Sequence, residues 1–456
     1  MSAVRAVAAV LALVLAAACS APTPPRGQAE TSSGTVCAPP SGALEPETST
    51  TIDVVEHAYF CILDTYDGTA TMDTRSLLTA GFAALTRRLD HAGRDLPVAT
   101  MPALTGDRKA DWAAFETTFR EITDMVPDLR EELTEITLRA LVAALDDRHA
   151  TWTHQDKRHP DAYDGDGYGL GLDTGTTSPL FITAITGGAA QAAGLRPGDV
   201  IETVSDGAPF IDGAPSSALR PEYPEARPVR LRVFRQSTGR RWSVTLQPGL
   251  FPRDPAGLRV VQSRLLDDVA YVRMTAFTPD SANRVLRAIT RLRTSRTLSG
   301  VVLDLRGNEG GVLLESTRLL SAFVHGATTG YHCTADDTCQ AIPTDDTVDL
   351  LHLPLVVLAD RGCASTCEHF ASAVKDLHLG RLVGTRTAGM ISGPVQTYLL
   401  ANNTLLHLPT RHHLGPDREV IDGIGVAPDH YASPTPEDAA TGRDPTLTKG
   451  LTLLRP

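Results

Sequence analysis

A serine stands where an apolar run gives way to a helix. In Leu355-Val-Val-Leu-Ala-Asp-Arg-Gly-Cys-Ala-Ser365-Thr-Cys-Glu-His-Phe370 the hydrophobic stretch breaks at Asp360-Arg-Gly362, and Ser365 opens the next element. Such a turn lifts a hydroxyl out of the core and sets it at a helix N-terminus, where unpaired N–H groups and the positive dipole end can hold a developing oxyanion. Acyl-transfer nucleophiles are presented in this way. Serine is also a favoured N-cap, so the turn alone does not separate catalysis from capping. A serine needs a base to become a nucleophile. Two histidines come into question: His149, in Leu145-Asp-Asp-Arg-His149-Ala-Thr151, and His369, one helical turn beyond Ser365. A side chain further along the same helix rarely points back at an N-terminal hydroxyl, so His369 is expected to be a satisfied core histidine. Glu368, in the first turn, suits a supporting role there.

The elements around these residues change texture along the chain. From Thr51 to about Asp147 apolar residues recur three and four apart, as in Leu133–Ala144 and in the stretch with Trp112, Phe115 and Phe119, which predicts packed helices. From Gly167 short strand-like runs and glycines take over. After Pro252 the pattern becomes strand, Gly-rich turn, helix. Gly300-Val-Val-Leu-Asp-Leu-Arg306 and Leu355–Ala359 are continuous apolar runs, as in strands covered on both faces, so a mostly parallel layered sheet is expected.

The 456 residues suffice for two or three domains, and the net charge of −12 argues against nucleic acid and against a polybasic membrane patch. Arg5 precedes an apolar segment, Ala6–Ala18, too short to span a bilayer and right for the core of a signal peptide. It ends Leu15-Ala-Ala-Ala-Cys19-Ser20, which resembles a lipoprotein signal with Cys19 as the lipidated residue; cleavage by an ordinary signal peptidase is the alternative. Residues 19–50, rich in Pro, Ser, Thr and Gly, read as a flexible tether. Six further cysteines remain, an even number that suits an oxidising location. Closeness in sequence favours Cys333–Cys339 and Cys363–Cys367, leaving Cys37–Cys61, although sequence does not fix the pairing. A Cys363–Cys367 bridge would straddle Ser365. No histidine cluster accompanies the cysteines at ligand spacing, so no metal or cofactor is expected.

The order of motifs resembles that of the tail-specific, or C-terminal processing, serine peptidases. Val301-Val-Leu-Asp-Leu-Arg-Gly-Asn-Glu-Gly-Gly311, Leu355–Glu368 and Leu382-Val-Gly-Thr-Arg-Thr-Ala-Gly389 carry the likeness. Ahead of them, Gly169-Leu-Gly-Leu172 and Ala192-Ala-Gly-Leu-Arg-Pro-Gly-Asp-Val-Ile201 resemble the carboxylate-binding loop and the following segment of a PDZ domain, a fold that adds an extended peptide to a sheet edge. The resemblance implies a multidomain α/β chain with a crotonase/ClpP-like protease core, an inserted PDZ-like β domain and an N-terminal helical domain. The expected boundaries are 1–18 leader, 19–50 tether, 51–157 helical domain, 158–250 PDZ-like domain and 251–456 core. It also implies Ser365 as nucleophile, an oxyanion hole from the N–H groups of Thr366 and Gly311 (or Gly310), and peptide contacts at Gly169, Leu170, Gly171 and Leu172.

One departure stands out. Many members pair the serine with a lysine in a Gly-Lys-Gly turn, and here the stretch is Ala388-Gly-Met390-Ile-Ser-Gly393. The tricorn-like branch instead uses a histidine ahead of the PDZ-like region, a position matched by His149, and a late acidic residue, matched by Asp422 in Ile421-Asp-Gly-Ile-Gly-Val-Ala-Pro-Asp429. Whether Asp422 orients His149 or acts elsewhere stays open. The expected function is an exported serine endopeptidase of extended or unfolded polypeptides with apolar C-termini, touching the membrane only through a lipid anchor. The alternative is a peptide- or hydrophobic-ligand-binding protein on the same scaffold. Substrate and oligomeric state are not legible.

Overall fold

A strand that is apolar on both faces has to lie inside a layered structure, and the two longest such runs form its centre. In a computed structural model of the chain, Gly300–Asp304 and Leu355–Ala359 are buried at every residue. They are the middle strands of a six-stranded sheet ordered Val261–Leu266, Val269–Met274, Gly300–Asp304, Leu355–Ala359, Gly380–Gly384, His430–Tyr431. The first pair is antiparallel and the others are parallel. One face carries the helices Ser281–Ser295, Leu313–Ser321 and Thr366–Asp376 over a core that includes Val272, Leu303, Val357 and Phe370. The other face is covered by Pro445–Leu454, whose Leu454 packs on Val302 and Val356. The structure describes residues 37–455 apart from 71, 156–160, 164, 212, 224–225 and 256–257. The leader and Cys19 lie outside the described residues.

The expected packed helices are Ile52–Thr65, Arg75–His91, Arg108–Met125 and Arg130–Ala143. They do not close a core on their own. Trp152 and, from the far end of the chain, Tyr398, Leu400, Leu406 and Leu408 complete it. The strands Thr151–Thr153, Leu405–Pro409 and Val395–Leu399 make one antiparallel sheet. The helical domain therefore shares a common core with part of the C-terminal half. The tether is also shorter than expected. From Cys37 the chain is pinned to this body: Cys37 is bonded to Cys61, Ala38 accepts from the Leu399 N–H, and Thr48 donates to the Asn402 carbonyl at 3.1 Å. Composition reports the lack of a core-forming pattern, and these backbone contacts need none.

Residues 166–252 form a β-rich module with its own core of Leu170, Ile182, Ile201, Leu231 and Val233. Its first strand, Asp166–Gly169, pairs antiparallel with its last, Gly249–Pro252, so chain entry and exit lie side by side. The two cysteine pairs favoured by closeness in sequence, and the Cys37–Cys61 pair they leave, are all bonded. Among the described residues no helix is long and apolar enough to cross a membrane.

Candidate active site

Ser365 follows the central strand Leu355–Ala359 and caps the helix Thr366–Asp376 with φ 55° and ψ −124°. That conformation costs an L-residue about 1–3 kcal/mol and persists only where surroundings enforce it. Four contacts do so. The Ser365 N–H donates to the Met390 carbonyl at 2.8 Å, and the Ser365 carbonyl accepts from the N–H groups of Glu368 and His369 at 2.8 and 3.1 Å. The Cys363–Cys367 disulfide, fully buried, straddles the turn.

Gly307–Gly311 rests on this turn. Gly310 has φ +97°, and a Cβ there would lie 2.8 Å from both Ser365 Cβ and the Thr366 nitrogen. Gly311 has φ +132°, and its Cβ would meet the Phe277 carbonyl oxygen at 2.3 Å. Only glycine lets these two loops close on each other. The loop is fixed from below, where Asp360 accepts from the N–H groups of Gly307 and Gly362. Buried Asp304 holds Arg306 in a two-point ion pair.

The Gly310 N–H is consumed by Asn308 Oδ1 at 2.9 Å, and its carbonyl accepts from Phe277. The N–H groups of Gly311 and Thr366 have no hydrogen-bond partner among the described residues. The geometry thus selects Gly311 over Gly310 as the donor paired with Thr366, and two unengaged donors beside a serine are what an oxyanion hole requires.

His149 reaches this place because it sits between the helix Arg130–Ala143 and the strand Thr151–Thr153, and that strand is paired to Leu405–Pro409. Its ring lies against the Met390 carbonyl, the same carbonyl that receives the Ser365 N–H. The approach falls short of a well-formed hydrogen bond, and Nε2 is buried without a partner. Ser365 Oγ makes no hydrogen bond among the described residues. Asp147 orients the imidazole: its Oδ1 accepts from the His149 N–H at 2.8 Å and lies 3.3 Å from Nδ1. Tyr66 Oη donates to its Oδ2 at 3.1 Å. Burial disfavours the imidazolium, but the hydrogen bond to Asp147 and the charges of Asp422 and Asp147 outweigh it and raise the His149 pKa. Burial likewise opposes the Asp147 carboxylate, and its bonds to His149 and Tyr66 nevertheless hold its pKa down.

Asp422 therefore stands near His149 without bonding to it. Its Oδ1 accepts from the Ile391 N–H at 3.2 Å and lies 3.7 Å from Arg148 Nη2. The acid in contact with the His149 ring is Asp147, not Asp422. The sequence carried the signal, since an acid two residues before a histidine can accept that histidine's N–H in an Asx turn.

Glu368 is fully buried and fixes the stretch where the dyad lysine would stand. It accepts from Thr387 Oγ1 and the Gly389 and Met390 N–H groups at 2.5, 2.6 and 2.7 Å. Burial raises its pKa in spite of those bonds. His369 is a core histidine as expected, bonded to Ser316 and Thr329 Oγ1 at 2.7 and 3.0 Å. The Gly169–Leu172 loop lies in the β-rich module, with Leu170 buried and the carbonyls of Leu170 and Gly171 accepting from Ala190 and Thr186.

A layered, mostly parallel sheet that presents a strained serine beside two free N–H donors defines a serine-type hydrolase site. Residues 268–432 match the model of Peptidase family S41. The chain is 28% identical to carboxyl-terminal-processing peptidase 2 of Arabidopsis thaliana, covering 72% of this chain and 67% of that one. It is 27% identical to the carboxy-terminal-processing protease of Bartonella bacilliformis, covering 71% and 74%. Among solved structures, the photosystem II D1 C-terminal processing protease superposes with TM-score 0.50 at 20% identity, over 84% of this chain and 93% of that one, a likeness of fold. These matches support a serine-type peptidase similar to the S41 C-terminal processing peptidases, with the family model resting on residues 268–432.

Proposed function

We propose that this chain is an exported endopeptidase of extended or unfolded polypeptides, working through Ser365 and His149 as in the tricorn-like branch. The observation that carries the reading is the shared Met390 carbonyl, which brings the His149 ring to the strained Ser365 turn where other members set a lysine. Ser365 Oγ attacks the scissile carbonyl while His149 takes its proton, and Asp147 stabilises the imidazolium that results. The N–H groups of Gly311 and Thr366 receive the oxyanion. His149 then protonates the leaving amine, and water releases the acyl group by the same route. Catalytic hydrogen bonds often tighten only with substrate bound, which accommodates the unbonded Oγ.

The β-rich module is read as the PDZ-like domain. The N–H groups of Leu170 and Gly171, free of partners among the described residues, suit a substrate's terminal carboxylate. The apolar leader and Cys19 support export and lipid anchoring, and the three disulfides fit an oxidising location. The unbonded Ser365 Oγ favours the second reading, a peptide or hydrophobic-ligand binder without turnover. An unfolded reporter with an apolar C-terminus decides between them. Hydrolysis by wild type, abolished in Ser365→Ala and His149→Ala with folding intact, is expected. Full activity in His149→Ala would overturn the base assignment, and unaltered ligand affinity without turnover in wild type and Ser365→Ala would establish the second reading.

A further inference from the structure

An open groove of about 510 Å³ lies between the outermost sheet strand, Val261–Leu266, and the helix Ser281–Ser295. Its walls are Val261 and Ser263 on the strand and Arg284, Arg287 and Arg291 on the helix, with Ala288 and Thr290 between. The three arginines are spaced three and four apart, so they form one row along one face. The helix contains four arginines and no acidic residue, in a chain whose net charge is −12. Asp280 partly neutralises the row, at 3.6 Å from Arg284 and 2.7 Å from Arg287. Arg291 has no ion-pair partner among the described residues.

The strand beside this row is a free edge. It pairs with Val269–Met274 on one side and with no strand on the other among the described residues. The Thr275 N–H donates to the Val260 carbonyl at 3.0 Å, which fixes the alternation of the antiparallel ladder. Backbone groups of Val261, Ser263 and Leu265 therefore face outward, away from the partner strand. An unpaired edge is a template for an added strand, and charges that only protect an edge usually sit on the edge strand itself. The edge strand carries one charge of its own, Arg264, which stacks on Tyr271; the arginines lining the groove stand on the neighbouring helix, across from open N–H and C=O groups.

We propose that this groove is a docking site for an extended acidic peptide segment. The segment would pair with the outward backbone of Val261–Leu265 and set alternate carboxylates against Arg284, Arg287 and Arg291. The site lies three strands from Leu355–Ala359, about 14 Å across the sheet at ordinary strand spacing. It holds an acidic partner segment apart from the site around Ser365, and it does not depend on how Ser365 is activated.

Fluorescence anisotropy of a labelled peptide alternating glutamate and valine, with the full chain, tests this. Wild type is expected to bind it, to prefer it over the glutamine counterpart, and to lose affinity as salt rises. The double variant Arg287→Glu/Arg291→Glu should weaken binding about tenfold or more. Ser263→Pro removes an outward N–H without touching the ladder and should weaken binding similarly. Equal binding by wild type and the arginine variant overturns the proposal even if the proline variant fails to fold. So does the absence of peptide binding, or binding of anionic lipid vesicles through the arginines with no binding of the peptide.

Discussion

At the scale of the residue, the base proposed beside Ser365 is a histidine, and this shifts the demand onto the groups around the ring. A base beside Ser365 works only as the neutral imidazole, and the His149 pKa is raised above its ordinary value near 6.5. The acid limb of kcat/KM is therefore expected above about pH 6.5, with activity rising as His149 loses its proton. Asp147→Asn removes one of the two charges that hold the pKa up and replaces one of the two oxygens that fix the ring and Tyr66 by a donor. Its acid limb should move to lower pH while kcat falls by roughly 10²–10⁴-fold. Asp422→Asn keeps an oxygen for the Ile391 N–H and removes only a charge acting at longer range, so its limb should move in the same direction and less. Complete pH–rate profiles of the two variants make the comparison. A larger effect at Asp422 would return the orienting role to that residue.

Among the elements, the site is held at one seam, where the helix Thr366–Asp376 meets the 387–391 stretch. Glu368 binds three donors of that stretch from one buried carboxylate. A hydrogen bond to a charged group contributes about 1.5–3 kcal/mol, and replacing one oxygen by NH2 sets donor against donor. Glu368→Gln should lower unfolding stability in urea by about that amount. It should also reduce kcat, because Met390 anchors both Ser365 and the His149 ring; unchanged stability and turnover would show that the seam is held elsewhere. Much of this was legible beforehand. The buried strands announced themselves as continuous apolar runs, and the Ser365 and Gly310-Gly311 turns as breaks after them. The merging of the helical domain with Tyr398–Leu408 was not, because antiparallel pairing between Thr151–Thr153 and Leu405–Pro409 leaves only alternation in short segments. Nor was the pinning of residues 37–50, which rests on backbone hydrogen bonds that carry no residue signature. Asp147 was visible as a residue and hidden as a role, since its partner is chosen by local turn geometry and its neighbour Tyr66 by tertiary packing.

For the molecule as a whole, the layer beneath the nucleophile helix ties folding to pH. His369 is enclosed by Ser316 and Thr329 and stacks edge-on with His413 at 5.5 Å, which in turn meets His332 at 5.5 Å. Burial pushes His369 down to about 3 and His413 to about 2, with the neighbouring histidines adding to the shift. His332 is lowered by burial and by Arg411. In the unfolded chain each would titrate near 6.5. Below that pH the unfolded state binds protons that the folded state refuses, so stability falls as pH drops and is regained on the return to neutrality. Each fully excluded proton contributes a slope of about 1.4 kcal/mol per pH unit. Because the unfolded histidines are only half protonated at pH 6.5, His369 and His413 together should cost about 3 kcal/mol between pH 6.5 and 5. Asp304, with its pKa held down by Arg306 against burial, adds a loss in the same direction at lower pH. Urea unfolding across this range measures the slope. His413→Leu, which removes one of the two excluded protons, should make it shallower by about 1.4 kcal/mol per unit. A slope unaltered in that variant would mean that His413 accepts its proton without unfolding, and that the layer beneath Ser365 opens to water while the sheet stays intact.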